Sequence, residues 1–171
     1  MSNIRVNNLD ELQLQNVEIV FFDFDGVFTD NHVWIDENGI ESVKCFRSDG
    51  IGISNLKDCG IPIYIVSSET NKVVEKRAKK LKIPVSYGVI NKKIIFDELC
   101  LKHKVSPKNA LFVGNDINDI VGFKYVGFPV GVNDCFPEIE EHIIAKTKNS
   151  GGNGAVREVC DLISISKKSN D

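Results

Sequence analysis

A chain of 171 residues, 42% hydrophobic and 26% charged, carries enough apolar content to bury the core of one ordinary domain. No apolar run approaches the roughly 20 residues that span a bilayer. With a net charge of −3 and no basic cluster to hold phosphates, neither a membrane nor a nucleic-acid partner is expected. Five scattered cysteines (Cys45, Cys59, Cys100, Cys135, Cys160) show no CxxC spacing and predict neither a disulfide framework nor a zinc site. His32, His103 and His142 are equally dispersed. The segment before Val17 has no signal-like apolar run, so a cytoplasmic protein is expected.

The first strong element is the run Ile19-Val20-Phe21-Phe22, a strand buried on both faces that breaks into Asp23-Phe24-Asp25-Gly26. Ligands of open α/β sheets bind at such strand ends. Asp23 and Asp25 alternate across Phe24, which aims both carboxylates into one crevice as a nucleophile and an acid. Gly26 lets backbone N–H groups close around an anion. Residues 32–46 read as a hairpin turning at Asp36 to Gly39, either a flap over the site or an ordinary edge hairpin, with Trp34 as an exposed interface anchor.

Ile51, Ile53, Leu56 and Cys59 mark an amphipathic helix that ends at Gly60, with Ser48 or Asp49 at its N-cap. Ile61 to Val66 is the second buried strand, and it ends in Ser67-Ser68-Glu69-Thr70-Asn71. A hydroxyl there either donates to a phosphoryl oxygen or caps the helix from Asn71 to Leu81. A third strand near Pro84 to Val89 leads to Lys92, at the start of the next helix, where an ammonium can offset the charge of a carboxylate and a phosphate together. Ala110 to Val113 is the fourth strand and ends in Gly114-Asn115-Asp116-Ile117-Asn118-Asp119. Its acidic and amide oxygens suit Mg²⁺, or else form an Asx-type turn. A fifth strand, Phe128 to Val132, a short helix from Pro137, a flexible break at residues 150–154, a last helix from Ala155 to Ile165 and a disordered tail from Lys167 complete the chain. Strands alternating with helices predict an α/β fold: a doubly wound, Rossmann-like, mainly parallel sheet with right-handed crossovers, a hairpin flap and no cap domain. One domain over residues 1–171 is expected, with its core at about 17–166 and flexible ends.

The stations Asp23/Asp25, Ser67, Lys92 and Gly114 to Asp119 resemble, in identity and order, the four motifs of the haloacid dehalogenase superfamily. The hairpin, the SDGIGI segment and the ending GGNGAVREVCDL narrow the resemblance to the cap-less 3-deoxy-D-manno-octulosonate 8-phosphate phosphatase group. That group includes nonulosonate 9-phosphate phosphatases and the phosphatase-like domains of some acylneuraminate cytidylyltransferases. About 40 residues between Asp25 and Ser67, and about 25 from there to Lys92, leave no room for a cap.

The resemblance implies a Mg²⁺-dependent phosphoaspartyl mechanism. Asp23 attacks phosphorus and Asp25 serves as acid and then base, with Ser67 and Lys92 as catalytic partners. Asp23, the Asp25 carbonyl and Asn115 or Asp116 would hold the metal. Gly26, Ser68, Glu69 and Arg157 would bind a small-molecule sugar phosphate, and residues 151–157 would complete a neighbour's pocket in a homotetramer. The chain departs from the pattern with Asn115 in GND where many relatives have GDD, with Ser48 where arginine is usual, and with SSET in place of TGR. Asn115 motivates an alternative, a weakly catalytic assembly domain. Glu69 stands where octulosonate phosphatases carry arginine, which points to nonulosonate over octulosonate phosphates unless Glu69 merely faces solvent on the first helical turn.

Overall fold

The computed structural model describes residues 7–169. A seven-stranded parallel sheet has the order β1 (Asn7–Asn8), β9 (Ala145–Lys146), β8 (Phe128–Gly131), β7 (Ala110–Gly114), β2 (Ile19–Phe22), β5 (Ile63–Val66), β6 (Val85–Ser86). Five α-helices accompany it: α1 (Asp49–Asp58), α2 (Val73–Leu81), α3 (Lys92–His103), α4 (Ile120–Phe123) and α5 (Ala155–Lys168). A separate antiparallel hairpin, β3 (Thr29–Ile35) with β4 (Glu41–Cys45), leaves the sheet directly after β2. This is the expected doubly wound α/β architecture with a hairpin flap. Among the described residues no helix is long and apolar enough to cross a membrane.

The sheet winds outward from β2, toward β6 on one side and toward β1 on the other, so the order reverses at β2. Such a reversal opens a crevice at the strand's carboxyl end, and Asp23 sits there. The strand stays central because all four of its residues are fully buried between helical layers. Phe21 stacks on Phe96 of α3, with ring centroids 4.2 Å apart, and Phe96 meets Phe112 of β7 edge to face at 4.9 Å. Each fully buried ring of this kind contributes about 1.5–3 kcal/mol. Lys92 lies one turn before Phe96 on the same helical face, so docking Phe96 also aims the lysine at the end of β2.

Several expected boundaries shift. Packed structure is already present at Asn7, ahead of the expected residue 17: β1 pairs with β9, and Leu9 and Leu14 are buried. At the other end α5 continues through Lys168, so the disordered tail does not begin at Lys167; Asn170 and Asp171 lie outside the described residues. Residues 150–154 are no flexible break. Gly151 and Gly152 are buried against the loop after β2, where Gly151 N–H donates to Asp134 (2.8 Å) and Gly152 N–H to the Val27 carbonyl (3.0 Å). A β-carbon on Gly151 would stand 1.8 Å from the Gly26 carbonyl oxygen, so this approach requires glycine. Ser48 stands at the N-cap of α1, as expected, but its side chain makes no cap bond, and Asp49, the first helical residue, accepts the Arg157 N–H of α5 at 3.3 Å. Helix α2 starts at Val73, after Lys72 at its N-cap, and the Asn71 side-chain oxygen accepts the Val73 N–H at 3.0 Å.

Candidate active site

Three strand ends converge on one polar cavity of about 240 Å³. Asp23 and Asp25 come from β2, Ser67, Ser68 and Glu69 from β5, and Asn115 and Asp116 from β7. Asn118 bridges two of these loops by donating to the Ser68 hydroxyl at 3.0 Å.

Lys92 reaches the cavity floor from behind. Its ammonium lies 2.7 Å from Asp23 Oδ1 and 2.5 Å from Asp119 Oδ1, and all three side chains are almost wholly buried. The contact to Asp23 has the closeness of an ion pair without hydrogen-bond geometry, which leaves Asp23 Oδ1 buried with no hydrogen-bond partner. The second oxygen of Asp119 accepts the N–H groups of Asn115 (2.8 Å) and Asp116 (3.3 Å), so a single carboxylate fixes both the lysine and the loop after β7. Burial, reinforced by the Asp119 charge and opposed by Lys92, pushes the Asp23 carboxyl up to about 7. Burial alone would lower the Lys92 pKa, but the two carboxylates outweigh it and hold the ammonium above its ordinary value.

Asp25 is half-buried, and its pKa is raised by burial and by the neighbouring Glu69 charge. Gly26 turns the chain away at φ +75°, beneath the Asn115 side chain: a β-carbon on Gly26 would meet Asn115 Nδ2 at 2.0 Å. Thr29 staples this loop, its hydroxyl oxygen accepting the N–H groups of Gly26 (3.1 Å) and Asn31 (3.2 Å) while the hydroxyl donates to Asp25 at 3.4 Å. Ser67 Oγ is buried and accepts the Glu69 N–H at 3.1 Å, which leaves its proton to donate into the cavity.

The donor set is oxygen-rich, as a hard divalent cation requires. Asp23 and the Asn115 amide line the same cavity, whereas one Asp116 oxygen is engaged in accepting the Ile117 N–H at 2.7 Å. Among the described residues no three His, Cys, Asp or Glu side chains form a preformed metal cluster.

A 3-deoxy-D-manno-octulosonate 8-phosphate phosphatase, KdsC, of Escherichia coli strain K12 is 36% identical over 155 residues, covering 90% of this chain and 82% of the relative. The chain belongs to the cap-less, KdsC-like group of the haloacid dehalogenase superfamily. Members of this group are phosphoric monoester hydrolases, and this KdsC-like chain is one by descent. The crystal structure of 3-deoxy-D-manno-octulosonate 8-phosphate phosphatase from Yersinia pestis is 30% identical with a TM-score of 0.87, covering 91% of this chain and 85% of that one. The enzyme from Moraxella catarrhalis, in complex with magnesium ion, phosphate ion and KDO, is 27% identical with a TM-score of 0.86, over 92% of this chain and 91% of that one. No protein-family model matches the chain.

Of the residues expected at the site of this KdsC-like protein, Asp23, Asp25, Ser67, Ser68, Glu69, Asn115 and Asp116 line the cavity; Lys92 lies beneath it and Gly26 beside it. Arg157 does not join them. It pairs with Asp161 one turn along α5 and reaches the Ser48 carbonyl at 3.5 Å, in a different depression of the surface. Glu69 is not on a first helical turn facing solvent: it lies in the loop before α2, half-buried on the cavity wall. Sequence reasoning left out Asp119, whose signal was its place three residues after Asp116, in the N3 position of a capping box.

Proposed function

We propose that this chain hydrolyses the phosphate ester of a 3-deoxy-2-keto sugar acid through a phosphoaspartyl intermediate on Asp23. The observation that carries this reading is Lys92, which holds the Asp23 carboxylate at the floor of a cavity whose walls supply a second carboxyl, Asp25, and a free hydroxyl proton, Ser67.

In the first half-reaction an Asp23 carboxylate oxygen bonds to phosphorus while the bond from phosphorus to the sugar oxygen breaks. Asp25, whose pKa is raised by burial and by the Glu69 charge, gives its proton to the leaving alkoxide. Asp25 then takes a proton from water, whose oxygen bonds to phosphorus; the acyl-phosphate bond breaks and Asp23 is regenerated with release of inorganic phosphate. Ser67 donates to a phosphoryl oxygen, and Lys92 offsets the charge gathered at Asp23. Asp23, the Asp25 carbonyl and Asn115 would hold Mg²⁺, which, when bound, neutralises the approach of two anions.

Octulosonate 8-phosphate is the substrate named for the curated relatives. Glu69 supports a preference for a nonulosonate 9-phosphate, because a carboxylate on the cavity wall repels a substrate carboxylate and accepts from hydroxyls. The test is kcat/KM on both substrates for wild type and Glu69→Arg. A wild-type preference for the nine-carbon ester, shifted toward the eight-carbon one by the substitution, is expected; a ratio that does not move removes Glu69 as the selector. The exposed hairpin residues Val33, Trp34, Ile35 and Ile40 support tetramer assembly through hairpins, and five free cysteines fit a reducing cytoplasm.

A further inference from the structure

The reaction cavity continues outward. Sharing Asp25, Asn31 and Glu69 with it, a second space of about 260 Å³ opens between the hairpin and the loop after β5. The hairpin lines this space with Val33, Val43 and Glu41, which share one face of the hairpin, and the segment after β5 lines it with Glu69, Asn71 and Val73, so carboxylates and valines alternate around it. No lysine or arginine among the described residues lines it.

Both carboxylates are anchored by one oxygen. Glu69 Oε1 accepts the N–H groups of Thr70 (2.6 Å) and Asn71 (2.8 Å). Glu41 Oε2, carried on β4, accepts Asn71 Nδ2 at 2.7 Å, and Asn71 is itself tied to the first turn of α2 through Val73 N–H. Asn71 thus joins the hairpin to the core at the cavity wall. The other oxygen of each carboxylate has no hydrogen-bond partner among the described residues.

An ionised carboxylate only accepts hydrogen bonds, and those it accepts are roughly twice as strong as neutral ones. A substrate group placed among these two and the valines must therefore offer donors and, next to them, hydrocarbon. We propose that Glu41, positioned by Asn71, is a specificity-determining residue that reads hydrogen-bond donors on the carbon chain beyond the phosphoester. The neighbouring valines take an apolar substituent next to those donors. The substrate class that matches is a sugar-acid phosphate bearing an acylamido group, whose N–H meets a carboxylate and whose methyl meets the adjacent valines. This rests on the sugar-acid phosphatase reading above and narrows it.

Steady-state kinetics on an acylamido-substituted nonulosonate 9-phosphate and on its hydroxyl analogue test the proposal. Wild type should favour the acylamido substrate. Glu41→Gln should raise its KM about tenfold while kcat stays within about threefold, the loss of one charge-assisted hydrogen bond. Asn71→Asp, which sets a like charge against Glu41, should move KM in the same direction. A wild-type preference for the hydroxyl analogue, or a KM unmoved in both variants, overturns the role of this outer space while leaving the phosphatase reading in place. A parallel fall of kcat in both variants with KM unchanged overturns it too. No phosphate release by wild type from either ester overturns both readings together.

Discussion

Lys92→Met would remove the ammonium that stands between Asp23 and Asp119 while keeping an unbranched stem of similar length against Phe112. The lysine is 1% exposed, Asp23 3% and Asp119 0%, so solvent cannot replace the lost charge. Breaking a buried ion pair by deleting one partner costs about 3–5 kcal/mol, because the remaining charge stays buried and unpaired. Two carboxylates are stranded here, and the fold can respond by protonating Asp23, whose pKa burial has already pushed up to about 7. The sign follows from linkage. A carboxyl whose folded pKa lies above its unfolded value favours the fold below the unfolded pKa, and that contribution disappears as pH rises through the folded pKa. The deficit of the variant should therefore be about 3–5 kcal/mol at pH 8 and under about 2 kcal/mol at pH 5. Urea unfolding in EDTA, with linear extrapolation and m-values compared, measures it. A deficit below about 1 kcal/mol at pH 8, or one equal at both pH values, would refute the buried charge arrangement.

Asn115→Asp should tighten Mg²⁺ binding, read by calorimetry on the metal-free protein, because it adds a formal negative charge beside Asp23; unchanged or weaker affinity would remove position 115 from the metal site. Gly26→Ala places a β-carbon 2.0 Å from Asn115 Nδ2 on a backbone at φ +75°, and should cost on the order of 2 kcal/mol of stability along with most turnover. Asp49 is buried at the start of α1, with one oxygen unpartnered and its carboxyl pushed up to about 7 by burial. Wild type should therefore lose stability as pH rises from about 4 through about 7, and Asp49→Asn should remove its share of that loss, on the order of 2 kcal/mol by denaturant midpoints at pH 4.5 and 8, leaving the share that Asp23 contributes.

The legible parts of the site were those that lie next to each other in the chain. Asp23 and Asp25 follow a fully apolar run, and a parallel sheet brings such run-ends together, so Ser67 and the loop after Val113 could be placed beside them before any coordinates. Lys92 was legible by its place at a helix start; what aims it, the Phe96 ring one turn later, was visible only as another apolar residue. Asp119 was hidden because its partner lies 27 positions earlier, and a polar residue in an Asx-type loop looks the same whether or not it is buried. The strands β1 and β9 are two residues each, too short for any periodicity to show. Arg157 stands apart from this chain's own cavity, where an i,i+4 acid, Asp161, pairs with it within its helix; the place expected for it was a neighbouring subunit's pocket. The glycines at 151 and 152 read as flexibility, whereas here they permit close backbone packing on the loop after β2.

The most direct measurement is inorganic phosphate release from a 3-deoxy-2-keto sugar-acid phosphate, by wild type and by Asp23→Asn, each with Mg²⁺ and with EDTA. Wild type should release phosphate only with Mg²⁺, and Asp23→Asn should fall by at least about a thousandfold while unfolding at the same or higher denaturant concentration. Asp23→Asn turnover within about tenfold of wild type, or wild-type release undiminished by EDTA, would contradict a nucleophilic Asp23 at a metal-assisted site.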